Sequence, residues 1–243
     1  MKSLRDPILL ALVAAGLAAS AFANPYYLFL LTMAALTVLV GVGLNVLIGL
    51  TGQVSFGHVG FYAIGAYVTA VLTTKLGWDF WWTLPAAMAL TAVVGTLLGA
   101  VALRMSGPYL AMVTIAFAFV VEFAIVEWEG VTGGQNGVMN IPMPQAFGWV
   151  LGERGLAGLS VLLVGAALLA YRRLAASPWG LAMRAVKDSE IAAGSLAVNP
   201  LVVRTVAFTI SAALAGLESG GAVRADGFNR IPMVRMTNVG LLP

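Results

Sequence analysis

A stretch without formal charge extends from Pro7 to Thr74 and makes up most of the N-terminal part of the chain. Because a helix that crosses a bilayer needs only about 20 predominantly apolar residues, this stretch can hold more than one membrane-spanning helix. Of the 243 residues, 60% are hydrophobic and 9% are charged, whereas an ordinary soluble domain is roughly 25% charged. The sequence therefore excludes most soluble folds and predicts an all-α, polytopic transmembrane helical bundle.

Breaks at Gly, Pro and Asn residues divide the chain into about seven predicted spans of the length expected for membrane helices. The spans comprise residues 7–23, 26–50, 55–73, 82–103, 109–126, 156–171 and 201–217. We predict one transmembrane domain over residues 1–217, with an external loop at 127–155 and a cytoplasmic loop at 172–200. Residues 218–243 follow as a polar tail.

The distribution of basic residues predicts the orientation of these spans. If the N-terminus is cytoplasmic, the external loops contain only Lys75 and Arg154, and the internal segments contain Lys2, Arg5, Arg104, Arg172, Arg173, Arg184 and Lys187. This asymmetry agrees with the positive-inside rule. An alternative for the first span is a cleavable signal peptide ending near Ala23, because basic residues precede its apolar stretch. In both cases the next helix begins outside.

Composition also excludes several classes of function. The chain has no cysteine and one histidine, so thiol catalysis is excluded and His58 has no partner typical of a zinc site. No Ser, His and Asp spacing indicates a hydrolase, and the basic residues form no single patch for nucleic acid. The chain also lacks the P-loop motif for ATP. We therefore predict no catalytic residues, no metal site, no cofactor and no nucleic-acid partner.

Polar side chains in hydrocarbon are costly, so they mark either helix packing or a transport pathway. The third predicted span opens with Gln53, Ser55 and His58. At helical spacing from Ser55, small and polar side chains share one face at His58, Tyr62, Gly65, Ala66 and Thr69. This face can form a close helix contact with a neighbour such as Asn45, or it can line a substrate pathway. Both interpretations remain open.

The external loop at 127–155 is longer than a minimal connector and rich in turn residues. Its most distinctive part contains Thr132, Gly133, Gly134 and Gly137. The loop can be irregular coil, or it can be a docking surface for an extracytoplasmic partner.

The internal loop at 172–200 is too polar to span a membrane, and its pattern predicts helix. Ser177 is a candidate N-cap and Pro178 suits the first helical position. Trp179, Met183 and Val186 share one face, and a second face carries Arg184, Lys187 and Asp188. Ser189 can cap a second short helix over residues 190–197. The segment is a surface amphipathic helix or a cytoplasmic coupling element that enters a groove on a partner.

Several motifs together resemble the membrane permease subunits of branched-chain amino acid ABC importers. The first runs from Gly43 to His58 with the sequence GLNVLIGLTGQVSFGH and is followed by Gly65-Ala66-Tyr67. Two further stretches agree with the family: residues 107–114 with the later Thr132-Gly133-Gly134, and residues 177–199. The agreement extends from about residue 28 to residue 216.

The resemblance implies a non-enzymatic subunit that imports branched-chain or related amino acids through the cytoplasmic membrane of a bacterium or archaeon. Its implied partners are a second permease subunit, two cytoplasmic ATP-binding subunits and an extracytoplasmic substrate-binding protein. The implied ATPase-coupling residues are Arg184, Lys187, Glu190, Ala193 and Gly194. Thr132, Gly133, Gly134 and Gly137 would belong to the loop that docks the binding protein.

The sequence departs from the family pattern after Gly216, where the family continues with at least one more hydrophobic span. Here residues 218–243 are polar, and Arg224, Arg230 and Arg235 would lie outside against the charge bias. We therefore expect a truncated or frameshifted C-terminus. Three alternatives to a branched-chain amino acid importer remain open: an importer of urea or another small amide, an autonomous secondary transporter or channel, and an inactive fragment.

Overall fold

A computed structural model describes residues 5–102, 108–139, 141–142, 144–146 and 149–225. In these ranges the helices are α1 (Arg5–Phe22), α2 (Pro25–Leu44), α3 (His58–Lys75), α4 (Phe80–Ala102), α5 (Pro108–Glu127), α6 (Glu129–Thr132), α7 (Glu153–Ala176), α8 (Pro178–Asp188), α9 (Glu190–Ser195) and α10 (Pro200–Ala225). A π-helical segment, Asn45–Thr51, continues α2, and a 3-10 turn covers Gly134–Asn136. The short strands β1 (Gln145–Ala146) and β2 (Trp149–Val150) pair antiparallel in the external loop.

The helical bundle predicted from the sequence is confirmed, and each predicted span coincides with a long helix. Among the described residues, 5 helices are long and apolar enough to cross a membrane: Pro25–Thr51, Phe80–Ala100, Tyr109–Glu127, Glu153–Ala176 and Pro200–Ser219. A shorter apolar helix covers Leu9–Phe22. Helix α3, with 18 residues, lies over the third predicted span but is not among these five, so the predicted number of about seven spans stays a prediction. Arg104, assigned to an internal turn, lies outside the described residues.

Several predicted boundaries were wrong. Helix α7 extends over Glu153–Ala176 rather than residues 156–171. The third span begins at His58 rather than residue 55, because Gly52 adopts a left-handed backbone with φ of 70° and ends the preceding helix. The second short helix of the internal loop ends at Ser195 rather than residue 197. Helix α10 passes through the predicted boundary at residue 217 and continues to Ala225. Residues 226–243 of the predicted tail lie outside the described residues.

Helix α10 is the central element of the bundle and packs most extensively against α4, and also against α3 and α2. Glycines permit the close approach: a Cβ atom at Gly65 would lie 2.7 Å from Gly216 Cα, and one at Gly99 would lie 3.3 Å from Phe208 Cβ. Small residues at helix crossings are the usual means of tight packing in membranes. Gly65 and Gly99 are therefore positions of close contact with α10.

The largest apolar cluster joins the internal loop to the membrane helices. It includes Met183 and Val186 from α8, Ala193 from α9, and Ala207 and Phe208 from α10, all buried. Because α8 and α9 contribute fully buried side chains to this cluster, they are integral parts of the bundle rather than a loosely attached surface segment. Displacing them would expose core atoms, at about 1.5–3 kcal/mol for each large side chain.

Long-range hydrogen bonds identify the two ends of the bundle. At one end, Lys187 Nζ of α8 donates to Gly49 O at 2.9 Å. At the other, Trp81 Nε1 donates to Gln145 O at 2.9 Å, which fixes the strand pair of the external loop against the start of α4. The predicted internal and external loops therefore lie at opposite ends of the helices.

Candidate functional site

The helical path breaks between α2 and α3, and the broken region holds the first candidate site. The π-helical turns end at Gly52, and residues 52–56 have no regular secondary structure before α3 begins at His58. Thr51 Oγ1 donates to Leu47 O at 2.7 Å, so a side-chain hydrogen bond spans the last turn of the π-helical segment. Within a membrane, non-helical backbone is tolerated where it is buried in protein or lines a cavity. Such breaks are frequent at binding sites.

Side chains alternate in burial along the broken segment. Gln53 and Ser55 are 5% and 4% exposed, whereas Val54 and Phe56 are 44% and 58% exposed. This period of two is that of an extended chain, in which successive side chains point in opposite directions. The polar side chains therefore face the protein interior and the apolar ones face outward, which is the arrangement suited to a lipid or protein environment rather than water.

The inward-facing polar atoms of this segment are largely without partners. Within the described part of the chain, Gln53 Oε1, Gln53 Nε2, Ser55 Oγ and His58 Nδ1 are buried and have no hydrogen-bond partner. A buried polar group without a partner costs roughly 1–3 kcal/mol. Three buried residues between positions 53 and 58 therefore retain unused hydrogen-bonding capacity, which makes the segment a candidate binding site.

The other imidazole nitrogen of His58 contacts α10. His58 Nε2 lies 3.3 Å from Ser211 Oγ, and this hydroxyl donates to Gly43 O at 2.7 Å. The sequence suggested Asn45 as the neighbour of the polar face. In the structure Asn45 is exposed and its side chain lies against Gly49 of its own helix. Ser211 could not be identified from the sequence, because the contact links positions far apart in the chain.

Helix α5 supports the break from the opposite side. Phe56 N donates to Thr114 Oγ1 at 3.1 Å, and a Cβ atom at Gly57 would lie 2.9 Å from Thr114 O. A Cβ atom at Gly60 would lie 2.8 Å from the Phe117 ring. The segment is thus held between α5 on one side and α2 with α10 on the other, and only glycine fits at Gly57 without a shift of backbone.

The rest of the predicted polar face lies on α3. Ser55 precedes the helix, so it does not belong to a helix face as the sequence suggested. His58, Gly65, Ala66 and Thr69 are buried, and Tyr62 is half-buried. Since Gly65 meets Gly216 and Ser219 of α10, this part of the face is a helix contact. The structure therefore separates the packing contact at Gly65 from residues 53–58, although Thr69 Oγ1 on α3 is also buried without a hydrogen-bond partner among the described residues.

The internal helices α8 and α9 form the second candidate site. Ser177 caps α8 by accepting from Gly180 N at 3.3 Å, and Ser189 caps α9 by accepting from Ala192 N at 3.3 Å, as the sequence predicted. Glu190 at the start of α9 forms an ion pair with Arg204 of α10. These contacts fix the orientation of α9 relative to the bundle.

The predicted coupling residues differ in their accessibility. Ala193 is buried, Arg184 is half-buried, and Glu190 and Lys187 are exposed. Gly194 is exposed and a Cβ atom there would meet nothing within 4 Å. Only part of the predicted set can therefore contact a partner directly, and Ala193 instead belongs to the core.

Exposed apolar side chains surround these positions, and the sequence analysis missed them. They are Leu181, Ile191 and Leu196, of which Ile191 is 86% exposed. The sequence pattern that could have predicted them is an apolar residue on the polar side of each short helix, where a solvated helix would carry a charged residue. Together with Gly194 they are exposed positions on or next to α8 and α9, the helices whose Lys187 contacts Gly49.

The external loop residues singled out from the sequence form one compact turn. Thr132 Oγ1 donates to Ile125 O at 2.6 Å and accepts from Gly134 N at 3.2 Å. Gly133, Gly134 and Gly137 have positive φ angles of 78°, 58° and 68°, which favour glycine. These residues therefore shape the loop. Beside the turn, an apolar groove of about 540 Å³ separates α4 from α5 and is bordered by Trp78 and Trp128.

Comparisons with known proteins agree with this architecture. The family model described as "Branched-chain amino acid transport system / permease component" matches residues 26–240. The match includes most of the segment after residue 216, so similarity to the family extends further toward the C-terminus than the sequence motifs indicated. No solved structure matches the chain.

Two curated relatives carry the name high-affinity branched-chain amino acid transport system permease protein LivM. The proteins from Salmonella typhimurium and from Escherichia coli (strain K12) are each 36% identical to the chain over 221 residues. The alignment covers 81% of this chain and 52% of each relative, so the chain spans about half the length of the curated relatives it matches. Because the family model matches most of the chain, the chain belongs to the permease-component family of branched-chain amino acid transport systems.

Proposed function

We propose that the chain acts as a permease subunit of an ATP-driven importer that moves branched-chain amino acids across the cytoplasmic membrane, with its N-terminus in the cytoplasm. The observation that carries the proposal is the internal end of the bundle, where α8 and α9 are anchored in the core yet present exposed Leu181, Ile191 and Leu196. A membrane protein that exposes apolar side chains on short, rigid helices outside its spans presents a surface suited to a soluble partner.

The partner at this surface would be an ATP-binding subunit, because ATP hydrolysis has to be supplied from elsewhere: the sequence has no P-loop motif. The proposed assembly contains two such subunits, a second permease subunit and an extracytoplasmic binding protein. The chain itself has no enzymatic role in this assembly. The external loop, stabilised by the Thr132 turn and the strand pair, offers the docking region for the binding protein.

The contacts of α8 and α9 provide a physical route from the ATPase to the transport pathway. Lys187 reaches Gly49 O at the end of α2, and its stem lies 3.1 Å from the position of a Cβ atom at Gly52. Glu190 binds Arg204 at the start of α10. A displacement of α8 and α9 would therefore move the α2–α3 break and α10 together, which supplies the two alternative packings that coupling requires.

Gly194→Asp tests the docking surface. The new carboxylate has space in this chain, so the fold stays intact, but it places a charge within the apolar contact with the ATPase. We expect co-purification of the ATPase and ATP-dependent leucine uptake to be lost, and Arg184→Glu to weaken both.

The matched control is Gly152→Asp, because Gly152 also has nothing within 4 Å of a Cβ atom but lies before α7 at the external end. This variant should retain the ATPase. Equal ATPase recovery with Gly194→Asp and with the control would contradict the proposed docking surface.

A further inference from the structure

The α2–α3 break has the features of a site for a small anion. Three of its inward-facing residues keep unpartnered polar atoms, namely Gln53 Oε1 and Nε2, Ser55 Oγ and His58 Nδ1. Packing alone does not account for them, since the neighbouring Thr114, Ser211 and Thr51 hydroxyls all have partners. Buried groups with unused hydrogen bonds are found where a ligand or water completes them.

The N-terminus of α3 contributes electrostatic attraction for an anion. Its N-cap is Gly57, which has no side chain to cap the first turn. Gly60 N and Phe61 N donate to Gly57 O, and among the described residues no side chain accepts from His58 N or Val59 N. A helix of 18 residues carries a partial positive charge at this end. The N-terminus of a broken membrane helix therefore favours an anionic group, and buried Gln53 Nε2 and Ser55 Oγ are hydrogen-bond donors close to it in the chain.

The side chains around residues 53–58 argue against a metal ion or another cation as the ligand. In the described part of the chain, no group of three acidic or imidazole side chains could hold a metal ion, and residues 53–58 carry no acidic side chain that would favour a cation. The flanking Phe61 and Phe117 rings, with centroids 5.0 Å apart, are apolar. The combination of hydrogen-bond donors and nearby apolar surface suits a small molecule with a carboxylate and an aliphatic part.

We propose that residues 53–58 bind the carboxylate of the transported amino acid, through Ser55 Oγ, Gln53 Nε2 and the first turn of α3. This inference rests on the proposed function, because it assigns a place to the substrate of that transport. In the present structure the site is closed, with its polar atoms buried. The Lys187 contact with Gly49 and Gly52 then joins the docking surface to the site, so movement of α8 opens it.

Cysteine protection tests the site directly. The chain contains no cysteine, so Ser55→Cys places a single thiol at the site and Val54→Cys places one on the opposite side of the segment. Both are assembled with their partner subunits in vesicles and labelled with a thiol reagent during ATP turnover. Leucine should slow labelling of Ser55→Cys at least about fivefold, by occupancy of the site. The control Val54→Cys should label at the same rate with and without leucine.

Isoamylamine, which is leucine without its carboxylate, shows which group is bound. It should give no protection at Ser55→Cys. Equal protection by leucine and isoamylamine would overturn the assignment to the carboxylate. If the wild-type complex imports leucine but leucine does not protect Ser55→Cys, the proposed site is wrong and the proposed function is unaffected. A wild-type complex that imports no leucine would instead refute the proposed function.

Ser55→Ala gives a second, independent measurement. Removing a buried hydroxyl without a partner should leave the melting temperature of the ligand-free complex unchanged or higher. The same substitution should reduce the rise in melting temperature caused by leucine and lower uptake about tenfold, because a hydrogen bond to a charged ligand is lost. A lower melting temperature without leucine, with the leucine-induced rise retained, would show that Ser55 serves packing and would overturn the proposal.

Discussion

The hydrogen bond from Lys187 to Gly49 allows the coupling route to be tested quantitatively. Lys187→Met keeps an unbranched stem of similar length against Gly52 but removes the ammonium group that donates to Gly49 O at 2.9 Å. A charge-assisted hydrogen bond contributes roughly 1.5–3 kcal/mol when buried. Because Lys187 is exposed, solvent reduces this value to about 1 kcal/mol or less.

A loss of about 1 kcal/mol corresponds to a factor of roughly five in an equilibrium between two packings of the bundle. We therefore expect Lys187→Met to bind the ATPase normally and hydrolyse ATP, but to transport up to about fivefold less leucine per ATP hydrolysed. The assay is simultaneous measurement of phosphate release and leucine uptake in proteoliposomes.

The matched control is Lys75→Met. Lys75 Nζ also donates to a backbone carbonyl, that of Gly130, but at the external end. This variant should keep the wild-type ratio of leucine to ATP. An unchanged ratio in Lys187→Met, or an equal decrease in both variants, would refute the role of the Lys187 contact in coupling.

Two further predictions concern the packing that supports the sites. Gly57→Ala should destabilise the protein, since its Cβ atom would lie 2.9 Å from Thr114 O. The control Gly41→Ala, whose Cβ atom would have nothing within 4 Å, should be neutral or slightly stabilising. Thermal unfolding in detergent compares the two variants, and equal melting temperatures would contradict the tight contact at Gly57. Met183→Ala should lower the free energy of unfolding by about 2–5 kcal/mol, as for other buried methionines. It should also reduce the amount of ATPase that co-purifies with the chain. A wild-type amount of ATPase together with a wild-type melting temperature would show that α8 is not anchored by the core.

The positions of the helices could be predicted from the sequence because hydrocarbon imposes a simple rule on composition. Charge-free stretches ended at Lys75 and at Arg172, and α3 and α7 end within a few residues of these positions. The caps at Ser177 and Ser189 were also predictable, since a cap depends only on local sequence. The start of α3 could not be predicted, because the helix before it ends where Gly52 adopts a positive φ angle, and composition does not reveal that angle.

The candidate sites were only partly predictable. Gln53, Ser55 and His58 were recognised as polar residues in an apolar context, but their separation from the packing surface on α3 depends on Ser211, Gly216 and other distant residues. The roles of Lys187 and Arg204 likewise depend on contacts across the bundle. Such tertiary contacts are not encoded in periodicity.

ATP-dependent uptake of radiolabelled leucine is the most direct test of the central claim. The chain is reconstituted in proteoliposomes with a second permease subunit, the ATP-binding subunits and the binding protein. The account predicts that leucine uptake requires both ATP and this chain. Excess isoleucine or valine should suppress the uptake, and excess urea should not. Uptake that persists without ATP or without the partner subunits, or suppression by urea alone, would contradict it.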